Sequence, residues 1–204
     1  MLLDLEDSQL VLIDYQARLM PVLAEGPAVL ANARRLARMA RLLQVPVFVT
    51  EENPAGLGPT VPELQAEVTQ AGGKTLKKMA FSAVADGLGA LLRPPVRTSQ
   101  GNARSLPKHL QKPVQAPAQR SSVVIAGCEA HVCLMQTALE LLEEEFEVWV
   151  VTDACASRSE RNRDAAFDRL AGAGAELLTT EMLAFEWLRS ADHPAFKDIL
   201  ALVK

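Results

Sequence analysis

SVVIAGCEAHVCLMQTALELLEE, residues 122–144, is the place to begin. Ser122 to Ala126 (SVVIA) reads as a strand, its four apolar residues in a row marking one buried on both faces. His131 to Glu144 then repeats apolar side chains at helical spacing, with Met135, Ala138, Leu139 and Leu142 forming a stripe. A doubly buried strand feeding an amphipathic helix through a short turn is the repeating unit of a parallel α/β sheet. The same unit recurs on both sides. Towards the C-terminus, a strand is expected over Phe146–Thr152, a helix over Asn162–Ala171 and a last strand over Glu176–Thr180. Two helices follow, Met182–Ser190 and Pro194–Val203. Towards the N-terminus, Gln9–Asp14 (QLVLID) is an apolar run closed by an acid, and Val45–Thr50 (VPVFVT) is a second such run. Between them, Ala28–Leu43 puts Val29, Leu36, Met39, Ala40 and Leu43 on one side of a helix and Arg34, Arg35, Arg38 and Arg41 on the other. Residues 51–62, rich in Gly and Pro, read as a loop. A short strand within Lys74–Phe81 and a helix over Val84–Leu92 complete the order.

Alternation of this kind implies helices on both faces of a parallel sheet, with ligands bound outside the carboxyl ends of the strands. Asp14, Thr50, the Gly127–Cys133 turn and Asp153 all fall at such ends. One segment breaks the pattern. Residues 93–120 hold five prolines and six Lys or Arg with no acid, and they show no apolar periodicity. They are expected to form a solvated insertion at the opposite edge of the sheet.

The chain has 204 residues, 49% of them hydrophobic, enough for one substantial core and a single domain over 1–204. A net charge of −4 offers no footing for nucleic acid or an anionic membrane. Three cysteines without CxxC spacing suit neither a disulfide scaffold nor a zinc ribbon, and fit a reducing interior. The acidic N-terminus lacks the layout of a secretory signal, and no apolar run reaches the roughly 20 residues of a membrane span. A cytoplasmic protein is expected.

Three side chains stand out as candidate chemistry. Cys133 falls in the first turn of a helix, where the dipole and free N–H groups favour a thiolate and could hold an oxyanion. Asp14 closes a buried strand and is placed to act as a general base, with the Gln16 amide at a spacing to orient its neighbours. Lys78 would offset the repulsion between a thiolate and a carboxylate. Each also has a plain alternative: a small buried thiol, a turn-capping acid, a solvated lysine.

The stretches LVLIDYQ (10–16), VTEENPAGLGPTVPEL (49–64), KMAFS (78–82), IAGCEAHVCLMQTALELLEE (125–144), VVTDACASRS (150–159) and HPAFKDILALVK (193–204) resemble the isochorismatase-like cysteine hydrolases. In particular they resemble the isochorismatase domain-containing proteins of unassigned substrate. The resemblance runs in order over nearly the whole chain, and only the basic insertion departs from it. It implies a three-layer, Rossmann-like α-β-α fold with a six-stranded parallel sheet, and a triad of Asp14, Lys78 and Cys133. It implies a cis peptide between Cys128 and Glu129 that aims backbone N–H groups at one point, and a homo-oligomer acting on a small molecule. Metal-binding members carry histidines after the second strand. Here Glu51, Glu52 and Asn53 stand there, and His109, His131 and His193 are scattered, so neither a metal nor another cofactor is expected. His131 and Phe81 are read as pocket or supporting residues, Trp187 as a pocket or core residue, and Cys128 and Cys155 as packing.

The function expected is hydrolysis of a small amide or related acyl or carbamoyl compound through a thioester at Cys133. The alternative is a catalytically silent binding or scaffold protein that keeps the fold. A nucleotide-binding oxidoreductase is disfavoured, since no GxGxxG follows Leu10–Asp14.

Overall fold

In the computed structural model, which describes residues 2–94 and 119–204, the strands are β1 (Ser8–Ile13), β2 (Val47–Glu52), β3 (Lys74–Lys78), β4 (Ser122–Gly127), β5 (Glu147–Val151) and β6 (Glu176–Leu178). All pair in parallel, in the order β3-β2-β1-β4-β5-β6. The helices are α1 (Gly26–Leu42), α2 (Pro54–Leu57), α3 (Pro62–Gln70), α4 (Leu88–Leu92), α5 (Met135–Glu143), α6 (Glu160–Gly172), α7 (Thr180–Leu188) and α8 (Phe196–Val203). On one face α1 packs against α3, α7 and α8, and on the other α5 packs against α6 and β5. This is the three-layer, six-stranded fold that the alternation and the resemblance imply.

The central strands explain the core. Leu10–Ile13 and Val123–Ala126 are wholly buried, and each large side chain there contributes roughly 1.5–3 kcal/mol by leaving water. The chain builds β1, β2 and β3 outward in one direction, then returns to lay β4 beside β1. That reversal opens a crevice between the carboxyl ends of β1 and β4.

Several elements differ from the sequence reading, two of them near the site. β2 ends at Glu52, two residues beyond the expected Thr50, because Glu51 and Glu52 pair with Lys77 and Lys78 of β3. The nine-residue helix α3 lies where no helix is legible. Only Leu64 and Val68 are apolar and buried on it, and its third buried residue, Glu67, accepts from Arg38 Nε at 2.8 Å. Arg34 and Arg38 therefore face a partner helix as well as solvent. In α5 the buried positions are Thr137, Ala138 and Leu141, and Met135, Leu139 and Leu142 sit on the flank. The adjacent Leu141 and Leu142 make a wide apolar arc whose centre periodicity alone does not fix.

Gly127 closes β4 where it crowds β1. A Cβ there would lie 2.5 Å from the Ile13 carbonyl oxygen, against backbone that cannot turn aside. Gly127→Ala is therefore expected to destabilise the protein by about 3 kcal/mol, read as a lower urea midpoint with an unchanged slope.

Of the expected basic insertion, residues 95–118 lie outside the described residues. Its flanks are tied down: Arg93 donates to the Glu144 and Glu145 carbonyls, and Arg120 to those of Leu5 and Ser8. Among the described residues, no helix is long and apolar enough to cross a membrane.

Candidate active site

β1 ends in a left-handed residue, Asp14, at φ 54°, a conformation that Asp tolerates better than most side chains. The resulting turn aims two side chains at the end of β2. Asp14 Oδ1 accepts from Thr50 Oγ1 at 2.6 Å and from the Glu52 N–H at 3.1 Å. Gln16 clamps the same peptide, accepting from the Glu52 N–H at 2.9 Å and donating to the Glu52 carbonyl at 2.9 Å. Gln16 thus positions Glu52, and it orients neither Asp14 nor Cys133 directly.

β3 is a polar edge strand, KTLKK, with its lysines mostly turned to solvent as edge strands favour. Lys78 is the exception. Its side chain has no exposed surface, and Nζ sits 2.8 Å from Asp14 Oδ2 and 2.8 Å from Glu52 Oε2. The Phe81 and Ala80 carbonyls complete its surroundings at 3.1 and 3.3 Å. Burial works against the ammonium, but the Asp14 charge and the hydrogen bonds to Asp14 and Glu52 outweigh it, so its pKa is raised. Three N–H bonds facing four acceptors leave this ammonium no free donor.

Cys133 lies in a single π-helical turn, Ala130–Leu134, that leads into α5. The turn follows a cis peptide between Cys128 and Glu129. Among the described residues, the Glu129 N–H has no partner, and the Cys133 N–H has none outside its own turn. Sγ, an oxygen of Asp14 and an oxygen of Glu52 all lie within 4.8 Å of one another. A metal held by these three groups would compete with the Lys78 ammonium that already bridges the two carboxylates. Burial pushes the Cys133 thiol up to about 12; the charges of Asp14 and Glu52 and a hydrogen bond to Asp14 raise it too, and Lys78 alone opposes them. The expectation of a thiolate favoured by the helix terminus is corrected. Burial and two carboxylates work against the dipole and favour the neutral thiol.

The crevice forms a cavity of about 320 Å³ lined by Glu52, Cys133, Glu129 and Phe81, with Arg18 and Arg158 among the other lining residues. Glu129 Oε2 accepts from the Arg158 N–H and Nε at 2.9 and 3.0 Å, which locks the carboxylate against that wall. Other expectations fare differently. Phe81 lines the cavity, half exposed, whereas Trp187 is core and donates to Ser8 Oγ at 3.0 Å. His131 is not a rim residue. Its ring turns towards Ser157 Oγ at 2.9 Å and Asn162, because a residue two before Cys133 faces another side of the helix. Cys128 and Cys155 are buried away from the cavity, and burial raises both thiols. Asp153 accepts from the Thr180 N–H and hydroxyl at the start of α7 and takes no part in the cavity.

Two contributors escape sequence reading. Glu52 looks like part of a polar loop, and only its pairing with β3 turns it inward. Thr137 donates to the Cys133 carbonyl at 2.7 Å and accepts from the Ala83 N–H at 3.0 Å, tying the Cys133 turn to the segment that follows Lys78.

A doubly wound sheet with an acid, an ammonium and a thiol converging at its reversal point defines a class. The chain belongs to the isochorismatase family, whose domain profile matches residues 8–182. Among its relatives is isochorismatase domain-containing protein 2A of Mus musculus, 38% identical over 199 residues that span 98% of this chain and 84% of the relative. Among solved structures, MAR1 ribonuclease from Caenorhabditis elegans is similar with a TM-score of 0.83 and 30% identity, covering 100% of this chain and 92% of that one. The YcaC product of Escherichia coli, described as an octameric hydrolase of unknown specificity, is similar with a TM-score of 0.77 and 26% identity, covering 99% and 87%. Family membership supports a hydrolase.

Proposed function

We propose that the protein is a cysteine-dependent hydrolase of a small amide or a related acyl or carbamoyl compound, working without a metal through a thioester. The observation that carries this reading is the convergence of Asp14, Lys78 and Cys133 beside one cavity, with Cys133 in its lining and the other two buried behind it. Asp14 removes the thiol proton as sulfur bonds to the acyl carbon, and the carbonyl electron pair moves onto oxygen. The N–H groups of Glu129 and Cys133, neither held by a partner outside the turn, receive that oxyanion. Lys78, with its donors engaged, holds the two carboxylates in place and offsets part of their charge. The C–N bond then breaks as Asp14 passes its proton to the departing amine. Water, deprotonated by Asp14, attacks the thioester, and the thiol is restored.

A neutral resting thiol fits this scheme, since it makes the base indispensable. Removing the Asp14 charge takes away two of the influences that raise the Cys133 pKa. Asp14→Asn is thus expected to form thiolate at lower pH than wild type, read from absorbance near 240 nm, while turnover falls by about 10²–10⁴-fold. Opposite movement of the two readouts separates base catalysis from mere thiolate stabilisation. Thiolate gained with turnover intact would remove Asp14 from the mechanism.

The reading is tested by an ammonia-release screen over small amides, ureides and carbamates, with rapid quench and intact-protein mass spectrometry to trap the acyl-enzyme. A covalent adduct on Cys133 that forms and decays with turnover is the expected result. A confirmed substrate turned over without one would overturn the thioester. Self-association belongs to the same reading, in line with the octameric description of the Escherichia coli relative, and exposed Val22, Met79 and Phe81 offer apolar surface for it.

A further inference from the structure

Glu52 lines the cavity, and the scheme above gives it no role towards the substrate. Its side chain is only 10% exposed, and one oxygen, Oε2, is held by Lys78 at 2.8 Å. The other oxygen, Oε1, accepts no hydrogen bond from any described residue, yet it is not sealed from solvent, and Glu52 lines the cavity. The backbone of Glu52 is pinned by Asp14 and Gln16. A fixed carboxylate oxygen therefore opens onto the space in front of the Cys133 sulfur.

We infer that the free oxygen of Glu52 is the acceptor for an N–H of the substrate, and that this selects primary amides and other N–H-bearing acyl compounds over esters and carboxylates. The inference rests on the proposed cysteine chemistry and adds to it the group that reads the leaving amine. A carbon about to be attacked lies roughly 3–3.5 Å from the nucleophile. Sγ and a Glu52 oxygen are within 4.8 Å of each other, so a nitrogen on that carbon comes within hydrogen-bond reach of Glu52. An ester oxygen in the same place offers no proton and meets a lone pair. A carboxylate fares worse at this position, because its oxygen would bring a second negative charge against that of Glu52. Sites built around a buried hydrogen-bonding group reject analogues that leave it unpaired far more strongly than apolar pockets reject a missing methylene.

The test uses two probes of nearly identical shape, N-methyl-2-chloroacetamide and methyl chloroacetate, which differ in carrying N–H or O at one position. In both, the Cys133 sulfur displaces chloride, and the proton leaves through Asp14. Labelling rates are followed by intact-protein mass spectrometry with peptide mapping, and each is divided by the rate of the same probe with free glutathione. In the wild-type protein the normalised amide-to-ester ratio is expected to be about tenfold or more. Glu52→Gln supplies the sharper arm. Lys78 needs an acceptor, so the glutamine oxygen stays on the ammonium and its NH₂ turns to the cavity, replacing an acceptor with a donor. The ratio is then expected to fall to one or below. A wild-type ratio near one, or a ratio unchanged in Glu52→Gln, overturns the role of Glu52 while leaving the nucleophile intact. No labelling of Cys133 by either probe overturns the cysteine reading itself and Glu52 with it.

Discussion

Cys133→Ala is expected to lower turnover of a substrate amide by about 10⁴-fold or more while the protein keeps its fold. The sulfur supplies the bond on which every later step depends, so neither Asp14 nor the backbone N–H groups can act without it. The stability change should stay within about 1 kcal/mol, since the side chain borders a cavity and only one heavy atom is lost. Steady-state ammonia release and a urea melt, run on the same preparation, check both halves. Residual activity near the wild-type level would mean that another group, with the wall of the cavity, performs the reaction.

Lys78→Met carries the second large expectation, this time on stability. The wild-type ammonium lies between two buried carboxylates at 2.8 Å from each. Deleting one partner of such a buried arrangement costs about 3–5 kcal/mol, and here it strands two like charges side by side. The sign of the pH effect follows. Without the ammonium, two like charges face each other in a site that burial keeps from water, and taking up a proton relieves that repulsion. The penalty is then largest at neutral pH and shrinks on acidification. Denaturation at neutral and mildly acidic pH should show the gap between variant and wild type narrowing on acidification. Adding Glu52→Gln to Lys78→Met should recover part of the loss. A gap below about 1 kcal/mol at neutral pH would mean that the pair is far better solvated than its burial suggests.

How much of this was legible in the sequence depends on whether an element speaks through its own periodicity. Ser122–Ala126 and Leu10–Ile13 do, because strands buried on both faces must be apolar throughout, and their order with the helices defines a parallel sheet. The Cys133 turn is legible for the same reason, lying where one periodicity gives way to another. β3 is nearly silent. KTLKK is a charged run in which nothing distinguishes the buried Lys78 from the exposed Lys77, and family resemblance alone singled it out. Glu52 is hidden more deeply, since its inward turn follows from the pairing of β2 with β3, a relation between distant segments. Thr137 and α3 were missed on similar grounds: each is fixed by partners on another element. The raised thiol pKa also lay beyond sequence, because it depends on two carboxylates brought close only in three dimensions.

The seam between β1 and β4 has a consequence for how the protein comes to life. Their six-residue register joins a portion of the chain carrying Asp14, Glu52 and Lys78 to one carrying Glu129 and Cys133. The nascent polypeptide emerges with Asp14, Glu52 and Lys78 in its earlier portion and Cys133 far behind. Until β1 and β4 pair, the sulfur has neither carboxylate beside it. Assembly of the site therefore waits on that pairing, and the proposed chemistry is closed to a chain in which the two strands have not met.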